Sequence, residues 1–110
     1  MKIRVNVNIL AGNMGDGWAD QYEAAVGYGY FLKPRIEEEI LNKYPNANID
    51  VSMDVDRESG CRRDTMIIVD GVDDDSEWDI THKLEEAVAD IENEAWDDFC
   101  CSPEAEQYAA

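Results

Sequence analysis

From Ile80 to Phe99 a single apolar stripe runs through the most acidic part of the chain, and it limits the fold more than any other feature. Ile80, Leu84, Ala87, Val88, Ile91 and Ala95 fall within about 60° of Leu84 at the roughly 100° per residue of an α-helix, and Phe99 closes the stripe. The spacing predicts a helix of about 22 residues, roughly 33 Å long. Its other faces are charged, because residues 70–98 hold thirteen acidic side chains in 29 positions against the single Lys83. Such a helix gains most of its stability from burying the stripe, so the rest of the chain must supply a surface for it. Ser76 is the expected cap, with Asp79 in the capping-box position three residues on.

That surface is legible as strands. In residues 2–10, Ile3, Val5, Val7 and Ile9 alternate with Lys2, Arg4, Asn6 and Asn8, which predicts a half-buried strand. Residues 48–56 alternate in the same way, with Ile49, Val51, Met53 and Val55 inward and Asp50, Ser52, Asp54 and Asp56 outward. After a turn at residues 57–60, residues 61–70 return as a third strand, and the pair reads as an antiparallel hairpin. The unbroken run from Met66 to Val69 suits a central strand.

Between the first two strands, Trp18 opens a helical pattern that continues through Tyr22, Ala25, Val26 and Gly29. Gly27, Gly29 and Pro34 then predict a break or kink near residues 31–33, since an interior proline costs about 3 kcal/mol. Pro34 suits the start of a renewed helix, followed by Glu37, Glu38 and Glu39 near its positive end and by Ile36, Ile40 and Tyr44 on the buried stripe. The order strand–helix–strand–strand–helix predicts an α+β two-layer sandwich: a three-stranded sheet with both helices on one face. The first crossover is right-handed if strand one pairs in parallel with strand two; whether strand one lies beside strand two or strand three is open. A single domain is expected over residues 1–102, with a small, polar, frayed tail at 103–110.

Composition narrows the function. With 45% hydrophobic residues and these periodicities, the 110-residue chain is a folded domain rather than an acidic disordered tail. It has no apolar run of the roughly 18 residues a membrane span needs and no signal peptide, so the expected address is the cytoplasm. Cys61, Cys100 and Cys101 are odd in number and lack C-x-x-C spacing, which fits reduced thiols better than a disulfide framework or a zinc site shared with His82. The net charge of −17 is uneven: residues 1–44 carry five basic and six acidic side chains, residues 45–110 four basic and twenty acidic. Direct contact with nucleic acid or an anionic membrane is therefore disfavoured, and a basic partner is favoured.

Sharper motifs fail on spacing. Gly12, Gly15 and Gly17 lie between a strand and a helix, but their spacing is not G-x-G-x-x-G and no Lys-Ser/Thr follows. Asp54, Asp56 and Glu58 start a calcium-loop pattern that meets Ser59 at position 6 and Thr65 at position 12; the series from Asp73 meets Trp78 at position 6. His82 has no nucleophile or acid assembled around it, and the abundant carboxylates sit on solvent faces, so no enzyme, cofactor or metal is expected. Tyr28 and Phe31, in the aromatic run at residues 27–31, point away from the Tyr22–Ile36 stripe on a helical wheel; they are candidates either for local packing or for an interface.

What remains is charge geometry. Asp79, Glu86, Asp90 and Asp97 share the helix face opposite Leu84, at successive separations of about 10.5, 6 and 10.5 Å, the range of nucleic-acid phosphate spacings. The loop carboxylates Asp73, Asp74 and Asp75, and the outward aspartates of strand two, are candidates to extend the array. Trp78 and Trp96 lie on one flank of the helix, roughly 27 Å apart, as candidate anchors or as packing under loops. Glu77 and Asp98, at the helix ends near the buried stripe, read as structural. In residues 50–56, 72–79 and 84–98 the chain resembles, as a class rather than through a shared motif, the small acidic phage or plasmid DNA-mimic inhibitors, including anti-CRISPR and anti-restriction proteins. The resemblance implies occupation of the basic nucleic-acid channel of a host defence complex. An immunity or regulatory protein that binds a basic partner through exposed aromatics is the competing expectation, and a homodimer paired through an edge strand is a third.

Overall fold

The computed structural model describes residues 1–57 and 65–110. Strand β1 (Lys2–Leu10) leads through a one-turn 3-10 segment (Ala11–Asn13) to helix α1 (Gln21–Lys43). Strands β2 (Asn48–Asp56) and β3 (Thr65–Asp70), helix α2 (Asp74–Cys100) and a short helix α3 (Pro103–Glu106) follow. The protein is α+β, with one mixed three-stranded sheet in the order β2-β1-β3. β1 pairs in parallel with β2 over its whole length, from Lys2 opposite Asn48 to Leu10 opposite Asp56. On its other side β1 pairs antiparallel with β3, from Lys2 opposite Asp70 to Val7 opposite Thr65.

This order corrects two expectations. β2 and β3 do not form a hairpin, because β1 lies between them. β3 is an edge strand and not the centre: Met66 is 57% and Ile68 37% exposed, while Val69 is buried. Its apolar run therefore alternates in burial although it does not alternate in chemistry. Residues 58–64, which include most of the expected turn, Cys61 and the first part of the expected third strand, lie outside the described residues.

One face of the sheet is buried through Ile3, Val5, Val7, Ile9, Val51 and Val69, in one core with Leu32, Ile36 and Ile40 of α1 and Leu84, Val88 and Phe99 of α2. Among the described residues, no helix packs on the other face. α1 begins three residues after Trp18 rather than at it: Asp20 is its cap, accepting hydrogen bonds from the Tyr22 and Glu23 amides. Nor is the helix divided near residues 31–33. Gln21–Lys43 is one helix with Pro34 inside it, and Tyr28, Leu32, Ile36 and Ile40 are buried at four-residue steps on both sides of the proline. Pro34 itself is on the exposed side, where water can reach the carbonyl one turn back, and packing of the flanking residues outweighs the local penalty.

The glycines of α1 mark its buried side. A side chain at Gly29 would press on Ile9 and touch Met53, so the glycine lets α1 approach the sheet closely. A side chain at Gly27 would collide with the ring of Tyr108. Tyr28 between them points inward at 4% exposure, and Phe31 packs half-buried on the core, so of the two expectations for these rings the structure shows packing, although the helical wheel alone turned them away from the stripe. The exposed aromatic of that run is Tyr30, at 77%.

Residues 103–110, expected to fray, are docked instead. Ser102 caps α3, Ala105 is buried, and Trp18 and Ala109 form an isolated antiparallel bridge. The Ala19 amide donates to the Tyr108 carbonyl at 2.9 Å and the Ala110 amide to the Gly17 carbonyl at 2.9 Å. Gly27→Ala should therefore release this segment, despite its gain in helix propensity: amide exchange at Ala19 and Ala110 quickens, and overpacking costs about 1–3 kcal/mol. In a Tyr108→Ala background the same substitution should be stabilising by about 1 kcal/mol, and a double-mutant denaturation cycle measures the sign reversal.

Candidate acidic interface

α2 starts earlier than its apolar stripe indicates. Asp73, not Ser76, is the cap: its Oδ1 accepts the Ser76 amide at 2.7 Å. Asp74, Asp75 and Glu77 then fill the first turn, where the positive end of the helix favours carboxylates. The hydrogen bonds from Ser76 hold the Asp73 carboxyl below its ordinary range. Of the three carboxylates expected in a loop, only Asp73 lies outside the helix, as its cap; Asp74 and Asp75 belong to α2, and all three are exposed.

Leu84, Ala87, Val88, Ala95 and Phe99 are buried, and Asp79, Glu86, Asp90 and Asp97 are all exposed on the opposite face. Among the described residues, Asp79 is the one member of this row with a near cation: Lys83 Nζ lies 2.8 Å from it, and that hydrogen bond and charge raise the Lys83 amine above its ordinary value. Among the described residues Glu86, Asp90 and Asp97 make no ion pair. Asp98 joins α2 to α1 through Arg35 at 3.7 Å, and the Glu77 amide donates to the Asp73 carbonyl at 2.8 Å.

The two tryptophans part company. Trp78 is 64% exposed and stacks on His82, ring centroids 3.9 Å apart, while His82 Nδ1 lies 2.9 Å from the Trp78 carbonyl oxygen. Trp96 is half-buried and meets the Tyr28 ring edge-on at 5.3 Å. Of the two, only Trp78 is largely exposed.

A second acidic array lies elsewhere. Asp50, Asp54 and Asp56 of β2 are exposed on the open face of the sheet, away from the helices. They do not continue the α2 row, because the sheet and the core stand between the two sets. Asn6 Nδ2 donates to Ser52 Oγ at 2.9 Å and to Asp54 Oδ2 at 3.0 Å, and Asn8 Nδ2 donates to Asp56 Oδ2 at 2.9 Å. The parallel register sets Asn6 beside Ser52 and Asn8 beside Asp54, so each amide reaches diagonally to the next aspartate.

One buried carboxylate escaped the sequence reading. Glu92 is 6% exposed; the Tyr28 hydroxyl donates to its backbone carbonyl at 3.1 Å and the Thr65 hydroxyl to its Oε1 at 3.3 Å. Its position eight residues after Leu84, about 80° from the stripe, was the available signal. Among the described residues no group of three or more His, Cys, Asp or Glu side chains is placed to hold a metal ion, and no helix is long and apolar enough to cross a membrane. Cys100 and Cys101 are free and exposed, and partial burial pushes the Cys100 thiol up. Compared with protein families, curated proteins and solved structures, the chain finds no match.

Two measurements follow. Trp78→Ala should leave stability within about 0.5 kcal/mol of the parent, whereas Trp96→Ala should cost about 2–4 kcal/mol in chemical denaturation. The Asp73 carboxyl, lowered in the folded state, contributes stability that is complete above its ordinary value of 3.8 and is lost as pH falls through the lower folded value. The melting-temperature gap between the parent and Asp73→Ala should accordingly be flat at neutral and mildly acidic pH and narrow below about pH 4.

Proposed function

We propose that this protein is an acidic inhibitor that docks on a basic surface built for nucleic-acid phosphates, and that Glu86, Asp90 and Asp97, with Asp79, Asp74 and Asp75, are its contact row. The observation that carries the reading is the exposed row on α2, held on a 27-residue helix whose opposite face is anchored in the core. Carboxylates spaced at about 6 and 10.5 Å along a rigid helix fit a channel that binds a polyanion, and charge complementarity speeds encounter and excludes neutral competitors. A host defence complex in the cytoplasm, of the anti-CRISPR or anti-restriction kind, is the class of target that this chemistry suits.

The test is affinity capture of basic nucleic-acid-binding proteins from a native cytoplasm, using the parent and a Glu86→Gln/Asp90→Asn/Asp97→Asn variant. The parent should retain a partner that duplex DNA displaces and that salt releases between about 50 and 200 mM, and the variant should bind it about tenfold or more weakly. Partners indifferent to both salt and DNA would sink the proposal. The exposed Trp78–His82 stack favours a second reading, an immunity or regulatory protein anchored by an aromatic side chain. In that case Trp78→Ala abolishes capture, while the charge variant only slows association.

A further inference from the structure

The outer edge of β2 has the length, the charge and the flanking surface of a strand-acceptor site. β2 pairs residue for residue with β1 from Asn48 to Asp56, and among the described residues no strand lies on its other side. An edge of this length leaves a row of backbone N–H and C=O groups facing outward, and proteins guard such edges with proline, a bulge or charged side chains. β2 has no proline and no bulge; here the guard is the aspartates, which repel an acidic or identical strand but not a basic one. Beside it, α1 contributes Tyr22, Val26, Tyr30 and Lys33 to an open groove of about 1070 Å³ that also takes in β2 from Asp50 to Asp56. Val26 is half-buried and Tyr30 largely exposed, so an apolar ledge runs along the helix side of the edge.

Charge decides the occupant. A second copy of this chain pairing antiparallel about a twofold axis at Ser52 would place Asp50 against Asp54, roughly 5 Å apart between Cβ atoms, and like charges directly opposite destabilise a sheet. No described cation offsets these aspartates with an ion pair: Arg4, the nearest in register to Asp50, is paired with Asp70 at 3.6 Å, Lys33 lies 3.9 Å from Glu37, and Arg57 stacks on the Tyr22 ring at 4.2 Å. We infer that the β2 edge accepts an extended basic segment of a partner protein as a fourth strand. Lysine or arginine at alternate positions meets Asp50, Asp54 and Asp56 on the open face, and the intervening apolar side chains rest on Val26 and Tyr30. Main-chain hydrogen bonds supply affinity and the alternation supplies specificity. The site stands on the sheet face opposite the α2 carboxylate row and does not depend on it.

The experiment uses the full chain and a nine-residue peptide of alternating lysine and valine. Nuclear magnetic resonance hydrogen exchange should show about tenfold or greater added protection at alternate β2 amides, those that point away from β1, and none along α2. A glutamate–valine peptide should fail to bind, and a lysine–valine peptide N-methylated throughout should lose about tenfold or more in affinity although its charge is unchanged. Asp50→Lys/Asp54→Lys should reverse the preference between the two unmethylated peptides. The Glu86→Gln/Asp90→Asn/Asp97→Asn variant should bind the lysine peptide as the parent does, which separates failure here from failure of the α2 surface. Equal binding of the methylated peptide, or protection appearing on α2 instead of β2, would overturn the inference. So would protection of β2 that rises with protein concentration in the absence of peptide, which would assign the edge to a second copy.

Discussion

Phe99 is the point at which separate parts of the chain become one core. Its ring is fully buried and meets Trp18 at 5.9 Å, Tyr28 at 5.4 Å and Phe31 at 5.4 Å, so the loop before α1, the middle of α1 and the end of α2 all rest on it. Burying one such ring is worth about 1.5–3 kcal/mol, and each aromatic pair adds about 0.5–1.5 kcal/mol. The cluster extends outward through Arg35, whose guanidinium lies 4.1 Å from the Phe31 ring centre and 3.7 Å from Asp98. Without this contact α2 would have its stripe buried but its last turns unanchored.

The cluster carries weight because the electrostatics oppose folding. A net charge of −17 on 110 residues repels itself, and the described ion pairs are all exposed, where each is worth at most about 1 kcal/mol. Stability must therefore come from the apolar core. Among the described residues that core lies on one side of the sheet.

The elements whose pattern has a single interpretation were legible from the sequence. The alternation of Ile3, Val5, Val7 and Ile9 and the Leu84 stripe identify a strand and a helix because only one face of each is apolar. What was not legible depends on tertiary contacts. Gly27 and Gly29 read as helix weakeners, yet each makes room for a specific neighbour, Tyr108 in one case and Ile9 with Met53 in the other. Pro34 reads as a break, yet Leu32 and Ile36 are buried on either side of it. β3 reads as central because all four residues from Met66 to Val69 are apolar; no local pattern says that β1 takes the middle. On the acidic surface, the α2 row follows from helical phase alone. The separation of the β2 aspartates from that row follows from which face of the sheet the helices cover.

The asparagines of β1 have an electrostatic consequence. Asn6 and Asn8 stand at positions where lysine or arginine would also reach Asp54 and Asp56. A cation there would fix the carboxylates and cancel them at the same time. A neutral amide fixes them and leaves their charge in place, so the local field over β2 keeps both its direction and its strength. Orientation and neutralisation, which an ion pair always delivers together, are separated on this sheet, and the result is a surface rigid in shape and still unspent in charge.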